Sequence, residues 1–452
     1  GDGTFAVGVD YGTGSSPYSV FAADLDGDGA QDLAVANSGS DTVSVLKNNG
    51  DGTFAAKVDY GSGDNPLSVF AADLDGDGKP DLAVANNGSN TVSVLKNNGD
   101  GTFAAKVDYG TGLNPSSVFA ADLDGDGKPD LAVANGNNTV NTVSIFKNNG
   151  DGSFAAKVDY GTGGGPISIF AADLDGDVDF DLAVANFFSG TVSVLKNNGN
   201  GTFAAKVDYG AGSLPSSVFA ADLDGDGDQD LAVANTSSNT VSVLKNNGNG
   251  TFAARVFYGT GSFARSVFAA DLDGDLKPDL AVPNANSNTV SFLKNNGDGT
   301  FAAKVDYGTG ITPYSVFAAD FNGDGDQDLA TTNIGGGNIS ILRNSNVATG
   351  VNDVIKGQIP SDWVLDQNYP NPFNSNTTIR FTLLQSRVVT LEVFNLIGQR
   401  VKLLVNGMVA AGSKEVSWNG TDENGDAVAS GIYLYRLRTK DFTETKRMIL
   451  LK

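Results

Sequence analysis

The string DLDGDGxxDLAVAN occurs seven times with small edits, its first Asp at positions 24, 73, 122, 173, 222, 271 and 320. Successive spacings are 49, 49, 51, 49, 49 and 49 residues, so the chain is built from one module used seven times. Each copy sets carboxylates at loop positions 1, 3, 5 and 9, with glycine usually at 4 and 6. Four acidic side chains within nine residues repel one another unless a cation sits among them.

A full unit, residues 50–98, holds four short runs bounded by Gly, Asn, Asp or Pro: FAAKVDY, SVFAAD, DLAVAN and TVSVLKN. In FAAKVDY, Phe54, Ala56, Val58 and Tyr60 alternate with Ala55, Lys57 and Asp59, which predicts a half-exposed outer strand. SVFAAD is small and apolar on both faces and suits a crowded centre. Four strands in each of seven units predict an all-β fold, a seven-bladed β-propeller. A solenoid fits less well, since neither end shows an atypical capping repeat. The chain opens with an outer strand (Phe5 to Tyr11) and the repeats stop near Asn344 after a third strand. The first strand is therefore expected to complete the last blade and close the ring.

Composition narrows the chemistry. The 452 residues contain no Cys and no His, which excludes disulfides, thiolate zinc sites, Cys nucleophiles and His-dependent catalysis. No apolar run approaches the ~20 residues needed to span a bilayer. The opening GDGTF already belongs to a repeat, so the numbering reads as that of a processed chain. Residues 1–346 carry 43 acidic and 17 basic side chains, a balance of −26, while residues 361–452 carry 9 and 11. Twenty-seven of the 43 acidic groups are loop aspartates at positions 1, 3, 5 and 9, so the acidity reads mainly as a metal-site signature. Such a surface argues against nucleic acid or anionic membrane as partner.

Hard oxygen donors without His or Cys select Ca²⁺ or Mg²⁺, and a site of six or seven oxygens favours Ca²⁺, up to seven ions in all. In the first loop the expected ligands are Asp24, Asp26, Asp28 and Asp32, with the Ala30 carbonyl. Gly27 and Gly29 supply the positive φ that wraps the loop. The equivalent sets are Asp73, Asp75, Asp77, Lys79 and Asp81; Asp122, Asp124, Asp126, Lys128 and Asp130; and Asp173, Asp175, Asp177, Asp179 and Asp181. They continue with Asp222, Asp224, Asp226, Asp228 and Asp230; Asp271, Asp273, Asp275, Lys277 and Asp279; and Asp320, Asn322, Asp324, Asp326 and Asp328. An EF-hand needs Glu at position 12, which here is Val35 inside a strand, so that reading fails. Val178 and Leu276 replace the second glycine and Asn322 replaces the third-position Asp, so weaker or differently shaped sites are expected in those three loops.

The DxDGDGxxD loop between two strands, preceded by YGTGxxPxSVFAA, resembles the FG-GAP/VCBS repeat family, in the propeller class of the integrin α-subunit head. The resemblance covers about 345 residues and implies that the loop leaves the innermost strand of each blade and binds Ca²⁺.

Residues 347–361 read as a linker. From 362 to 452 the Asp loops give way to longer alternating runs: WVL near Trp363, TTIRFTL, VVTLEVFN, QRVKLLVN, KEVSWN, IYLYRLRT and TKRMILLK, with an Asn424–Gly425 turn. About seven strands in roughly 90 residues predict a small immunoglobulin-like β-sandwich. The stretches NYPNPFN (368–374), VFNLIGQRV (393–401), WNGTDENGDAVASGIYLYRL (418–437) and TKRMILLK (445–452) resemble the C-terminal sorting domain of the type IX secretion system. That resemblance implies export across a Gram-negative outer membrane, the secretion machinery as a partner, and a cell-surface or extracellular location.

Variation among the copies gathers at one set of turns: DNPL, LNPS, GGPI, SFAR and ITPY, then NGSN, FFSG and NANSN, with the insertion GNNTVN at 136–141. Tyr18, Phe187, Phe188, Phe263 and Tyr314 add aromatic groups there. Two readings fit: recognition loops on a rigid scaffold, or drift on an unconstrained surface. The expected role is a non-enzymatic structural or adhesive protein, self-assembling head to tail or meeting a surface glycan or protein. The alternative is a lectin-like propeller. Asp pairs of glycosidase type are all committed to metal loops, so no enzyme is expected.

Overall fold

The computed structural model describes residues 2–136, 140–344, 364–365, 368, 371, 373, 376–383, 387–395, 399–409, 412–423, 427–440 and 443–450. The linker, the Asn424–Gly425 turn and much of the 136–141 insertion lie outside the described residues. Two compact units emerge, residues 1–348 and 349–452. Among the described residues no helix is long and apolar enough to cross a membrane.

The first unit is seven four-stranded antiparallel sheets. In the first blade the strands run Pro17–Ala23, Asp32–Asn37, Thr42–Leu46 and Val58–Gly61, in spatial order. Pairing of Val20 with Val35, Val35 with Ser44, and Ser44 with Asp59 fixes their register. The second strand is buried at every position in six blades, and in the third at every position but its last, Gly136. Its DLAVAN sequence has small or branched apolar groups on both faces because each face meets a neighbouring blade. Leu25, Ala34, Ala36, Val43 and Val45 of blade one interlock with Val69, Leu82, Val84, Leu95 and Phe103 of blade two. The same seam recurs around the ring and joins blade seven back to blade one.

Closure is visible in two places. Val9–Gly12 pairs with Asn338–Leu342, so the N-terminal strand completes the last blade and removes two open edges. On the axis, Phe21, Phe70, Phe119, Phe170, Phe219, Phe268 and Phe317 touch in an unbroken ring, with centroids 4.5–4.9 Å apart. The outer strand is shorter than the alternation predicts. Only Val58–Gly61 is strand, Phe54 is held by a bridge to Asn48, and Val58 is 52% exposed. The turn before it bonds back to the third strand, Ala55 N–H to the Lys47 carbonyl at 2.8 Å, and uses up the residues the pattern assigned to the sheet.

Among its described residues the second unit has seven strands in two sheets: Val364–Leu365, Thr377–Leu383 and Gly412–Trp418 in one; Arg400–Val409, Arg387–Phe394, Gly431–Arg438 and Thr443–Leu450 in the other. Trp418, Tyr435, Phe373 and Phe381 fill its core. The buried polar tips are satisfied: Trp418 Nε1–H donates to the Thr421 carbonyl (2.9 Å), and the Tyr435 hydroxyl accepts from Asn368 N–H (2.9 Å).

Candidate metal centres and the opposite rim

Each acidic loop leaves the inner strand and enters the second. In loop one Asp24 gathers the backbone: Oδ1 accepts from Gly27 N–H (2.8 Å) and Asp28 N–H (3.1 Å), and Oδ2 from Gly29 N–H (3.0 Å). Gly27 and Gly29 have φ of 78° and 91°, the wrap expected of them. Asp28 Oδ1 accepts from Ala30 N–H at 2.8 Å. Asp32 is fully buried and its two oxygens accept from Leu25 N–H (3.0 Å) and Asn48 N–H (2.7 Å).

These bonds draw positions 1, 3 and 9 together. Carboxylate oxygens of Asp24, Asp26 and Asp32 lie within 4.8 Å of one another, as do those of Asp73, Asp75 and Asp81; Asp122, Asp124 and Asp130; Asp173, Asp175 and Asp181; Asp222, Asp224 and Asp230; and one further group. Asp28, Asp77, Asp126, Asp177 and Asp226 fall outside these triads, as do the side chains of Asp179 and Asp228 at position 7. In three loops the position-5 carboxylate instead pairs with the position-7 lysine: Lys79 with Asp77 (2.9 Å), Lys128 with Asp126 (2.7 Å) and Lys277 with Asp275 (3.3 Å). In the seventh loop Asn322 keeps its place, accepting from Asp324 N–H at 2.9 Å, and Asp324 in turn accepts from Asp326 N–H at 2.9 Å.

The triads fit a divalent cation. Their donors are all hard oxygens. Asp175 Oδ1 and Asp224 Oδ1 are buried with no hydrogen-bond partner, a costly state for a carboxylate that an ion would relieve. Burial pushes the position-9 carboxyl up, with the nearby loop carboxylates adding to it: to about 6 at Asp32, Asp81, Asp130 and Asp230, and to about 7 at Asp181, Asp279 and Asp328.

Two further residues per blade belong to the site and were missed among its expected ligands. Asn97 of blade two donates from Nδ2 to the Leu25 carbonyl in the loop of blade one (2.9 Å) and to the Pro80 carbonyl in its own loop (2.9 Å). Its backbone N–H donates to Asp81 at 2.7 Å. The bridge recurs at all seven seams, ending with Asn48 to the Phe321 carbonyl across the closure. Beside it, Lys47 joins Asp26 of its own loop (3.2 Å) to the Asp100 carbonyl of the next blade. The seven-fold KNN/RNS string was the available signal. Asn and Lys at a strand end simply resemble ordinary turn residues.

The three departing loops keep the common shape. Val178 and Leu276 take φ of 79° and 67°, and their N–H groups still reach Asp173 Oδ2 (3.0 Å) and Asp271 Oδ2 (2.9 Å). The expected change of loop shape at these two positions is therefore absent. What remains is strain, since a left-handed backbone costs an L-residue roughly 1–2 kcal/mol. Both side chains are exposed and have little packing to lose. Val178→Gly and Leu276→Gly should each raise stability by about 1 kcal/mol, after the entropy of the added glycine, measured by denaturant unfolding.

The varied turns occupy the other end of the inner strands. There Tyr18, Phe187, Phe188 and Tyr314 line a cavity of about 290 Å³ on the propeller axis. Phe263 stands outside the lining, its ring under the Arg265 guanidinium at 4.2 Å.

Comparison with known proteins agrees with this architecture. Among solved structures, BBS1N in complex with ARL6DN, soaked with lead, matches with a TM-score of 0.55 at 14% identity, covering 76% of this chain and 99% of that one. PorZ, a surface component of the type-IX secretion system of Porphyromonas gingivalis, gives 0.47 at 14% identity, over 98% of this chain and 60% of that one. The periplasmic gluconolactonase PpgL of Pseudomonas aeruginosa gives 0.49 at 16%, over 65% and 86%. At these identities the likeness is one of fold. No curated protein matches the chain. The FlgD Ig-like domain matches residues 373–441. The FG-GAP-like repeat matches six times, at residues 24–84, 73–133, 122–184, 175–233, 222–282 and 277–331. Spanning residues 24–331 without a break, these repeats place the chain in the FG-GAP-like repeat family.

Proposed function

We propose that this protein is a non-enzymatic, Ca²⁺-stabilised structural or adhesive protein of the bacterial cell surface. The observation that carries the reading is the asparagine at every seam, which ties each acidic loop to its neighbour. An ion that orders one loop thereby orders the joint between two blades. Calcium suits the all-oxygen triads and is abundant outside cells, where such sites stay filled. The absence of cysteine is then no handicap, because ions take the stapling role that disulfides have elsewhere.

Export by a type IX-like route rests on the four sequence stretches of the C-terminal unit that resemble a sorting domain. That unit is slightly basic and the propeller strongly acidic, so a head-to-tail contact between copies is electrostatically favourable, and a heterologous contact of this kind yields open filaments when it does not close. Native mass spectrometry and electron microscopy of concentrated protein in calcium should show multiples of the 46.4 kDa chain and fibres. Monomers alone under those conditions would remove the filament. A second reading, a lectin-like binder, is favoured by the aromatic-lined cavity on the varied rim.

A further inference from the structure

We infer that the axial cavity is a single binding site for a carboxylate-bearing sugar residue, read by Arg265. This deepens the binder reading above and is independent of the calcium sites. The cavity opens where the inner strands begin and the acidic loops lie where they end, roughly 20 Å away along a seven-residue strand.

The floor is built by symmetry. Ser19 and its six equivalents, one per blade, line the cavity two residues before the phenylalanine ring that closes the axis beneath them. Six of these hydroxyls accept from the next blade's backbone, as Ser19 does from Val69 N–H at 3.3 Å. An accepting hydroxyl still has its proton to donate. Among the described residues none of the seven donates it to the protein, so the floor presents a ring of free O–H donors.

The wall breaks the symmetry at one place. Blade six has Arg265 where the others have Tyr, Leu, Ser or Ile, and Pro283 where five of the other six have Ala. Proline has no N–H to give its partner strand. The inner strand of that blade accordingly shrinks to Phe268–Ala270, leaving Arg265 and Ser266 outside regular pairing. Among the described residues Ser266 is also the one floor serine that accepts no bond from the next blade. Arg265 stacks on Phe263 (4.2 Å) and Tyr314 (4.9 Å), makes no ion pair among the described residues, and has its Nε buried without a partner. Among the described residues it is the only cation lining the cavity, and no carboxylate among them lines it. In a propeller of net charge −26, a cation left unpaired in a carboxylate-free pocket is poised for an anion from outside.

The rest of the lining selects a sugar. Hydroxyl donors match the many acceptor oxygens of a saccharide. Phe188, 57% exposed, offers a ring face for stacking, and it reaches the cavity because Gly165 leaves vacant the space a side chain would take. A volume of about 290 Å³ sits at the small end of ligand sites and suits one sugar unit.

Saturation-transfer NMR and calorimetry with methyl glucuronide, methyl glucoside, inorganic sulfate and a short peptide with a free C-terminus test this on the calcium-loaded full chain. The uronide should bind at least tenfold more tightly than the other three. Arg265→Gln should remove that preference, Arg265→Lys should retain part of it, and both variants should keep the parent's calcium-dependent melting. Equal binding of uronide and glucoside, an unchanged preference in Arg265→Gln, or no uronide binding would overturn the inference. Tighter binding of sulfate or of the peptide would overturn the sugar assignment. Neutral glycans bound independently of Arg265 would sink this site while leaving the lectin-like reading intact.

Discussion

Removing divalent ions from the propeller should lower its melting temperature by roughly 20 °C. Calcium at about a hundredfold a site's dissociation constant contributes ~2.7 kcal/mol, so six filled triads contribute ~16 kcal/mol. The unfolding entropy is about 2.1 cal/mol/K per residue, which over the 348 residues of the first unit converts that energy to the stated shift. Scanning calorimetry with calcium and with excess chelator measures it. Coincident melting curves would defeat the metal reading altogether.

The size of that gap should depend on pH, and the sign follows from the position-9 carboxyls. Their folded pKa values, about 6 at Asp32 and about 7 at Asp181, stand above the ~3.9 of an unfolded aspartate. In the ion-free protein this proton-linked stability is complete below pH ~4 and is lost as pH rises through 6 to 7. The ion-loaded protein behaves oppositely, because protonation of the same carboxyls expels the ion. The calcium-dependent shift should therefore be greatest near pH 8 and fade as pH drops through 7 to 6. Of the six triads, those of loops four and six, with Asp181 and Asp279 at about 7, should release their ions first.

Much of this architecture is legible in the sequence because a seven-fold repeat averages away local ambiguity. A single DLDGDG stretch is compatible with a solvated turn, yet seven in register demand a common loop, and Gly27 and Gly29 adopt the positive φ assigned to them. The strand-swapped closure was readable from the phase of the repeat, outer strand first and third strand last. The inter-blade roles of Asn97 and Lys47 were not. They depend on contacts between residues some 50 to 70 positions apart, which no local pattern encodes. Arg265 was hidden for the opposite reason. It occurs once, and its meaning comes from Pro283 shortening the strand beside it.

Asn97→Ala should cost about 2–4 kcal/mol, whereas Asn98→Ala, the same change one residue on, should cost under about 0.5 kcal/mol. The pair isolates position from residue type. Asn98 is exposed and donates to Thr102 Oγ1 (2.9 Å) within its own turn, a bond that water replaces. Asn97 is buried, and its Nδ2 serves carbonyls of two loops while its Oδ1 accepts from Gly99 N–H at 2.8 Å. Truncation strands the Leu25 carbonyl at a seam too tight for water to enter freely. Spread over the first unit's unfolding entropy, the loss amounts to roughly 4 °C for Asn97→Ala and under about 1 °C for Asn98→Ala. The penalty should persist in chelator, because these hydrogen bonds do not need the ion. With calcium present the variant should also weaken the two sites it joins, Asp73–Asp81 in its own loop through the Pro80 carbonyl and Asp24–Asp32 through the Leu25 carbonyl, and isothermal titration would show that loss as two weakened sites among the rest. Equal effects of the two alanines would mean that the asparagine seam carries no coupling between loops, and that each blade holds its ion alone.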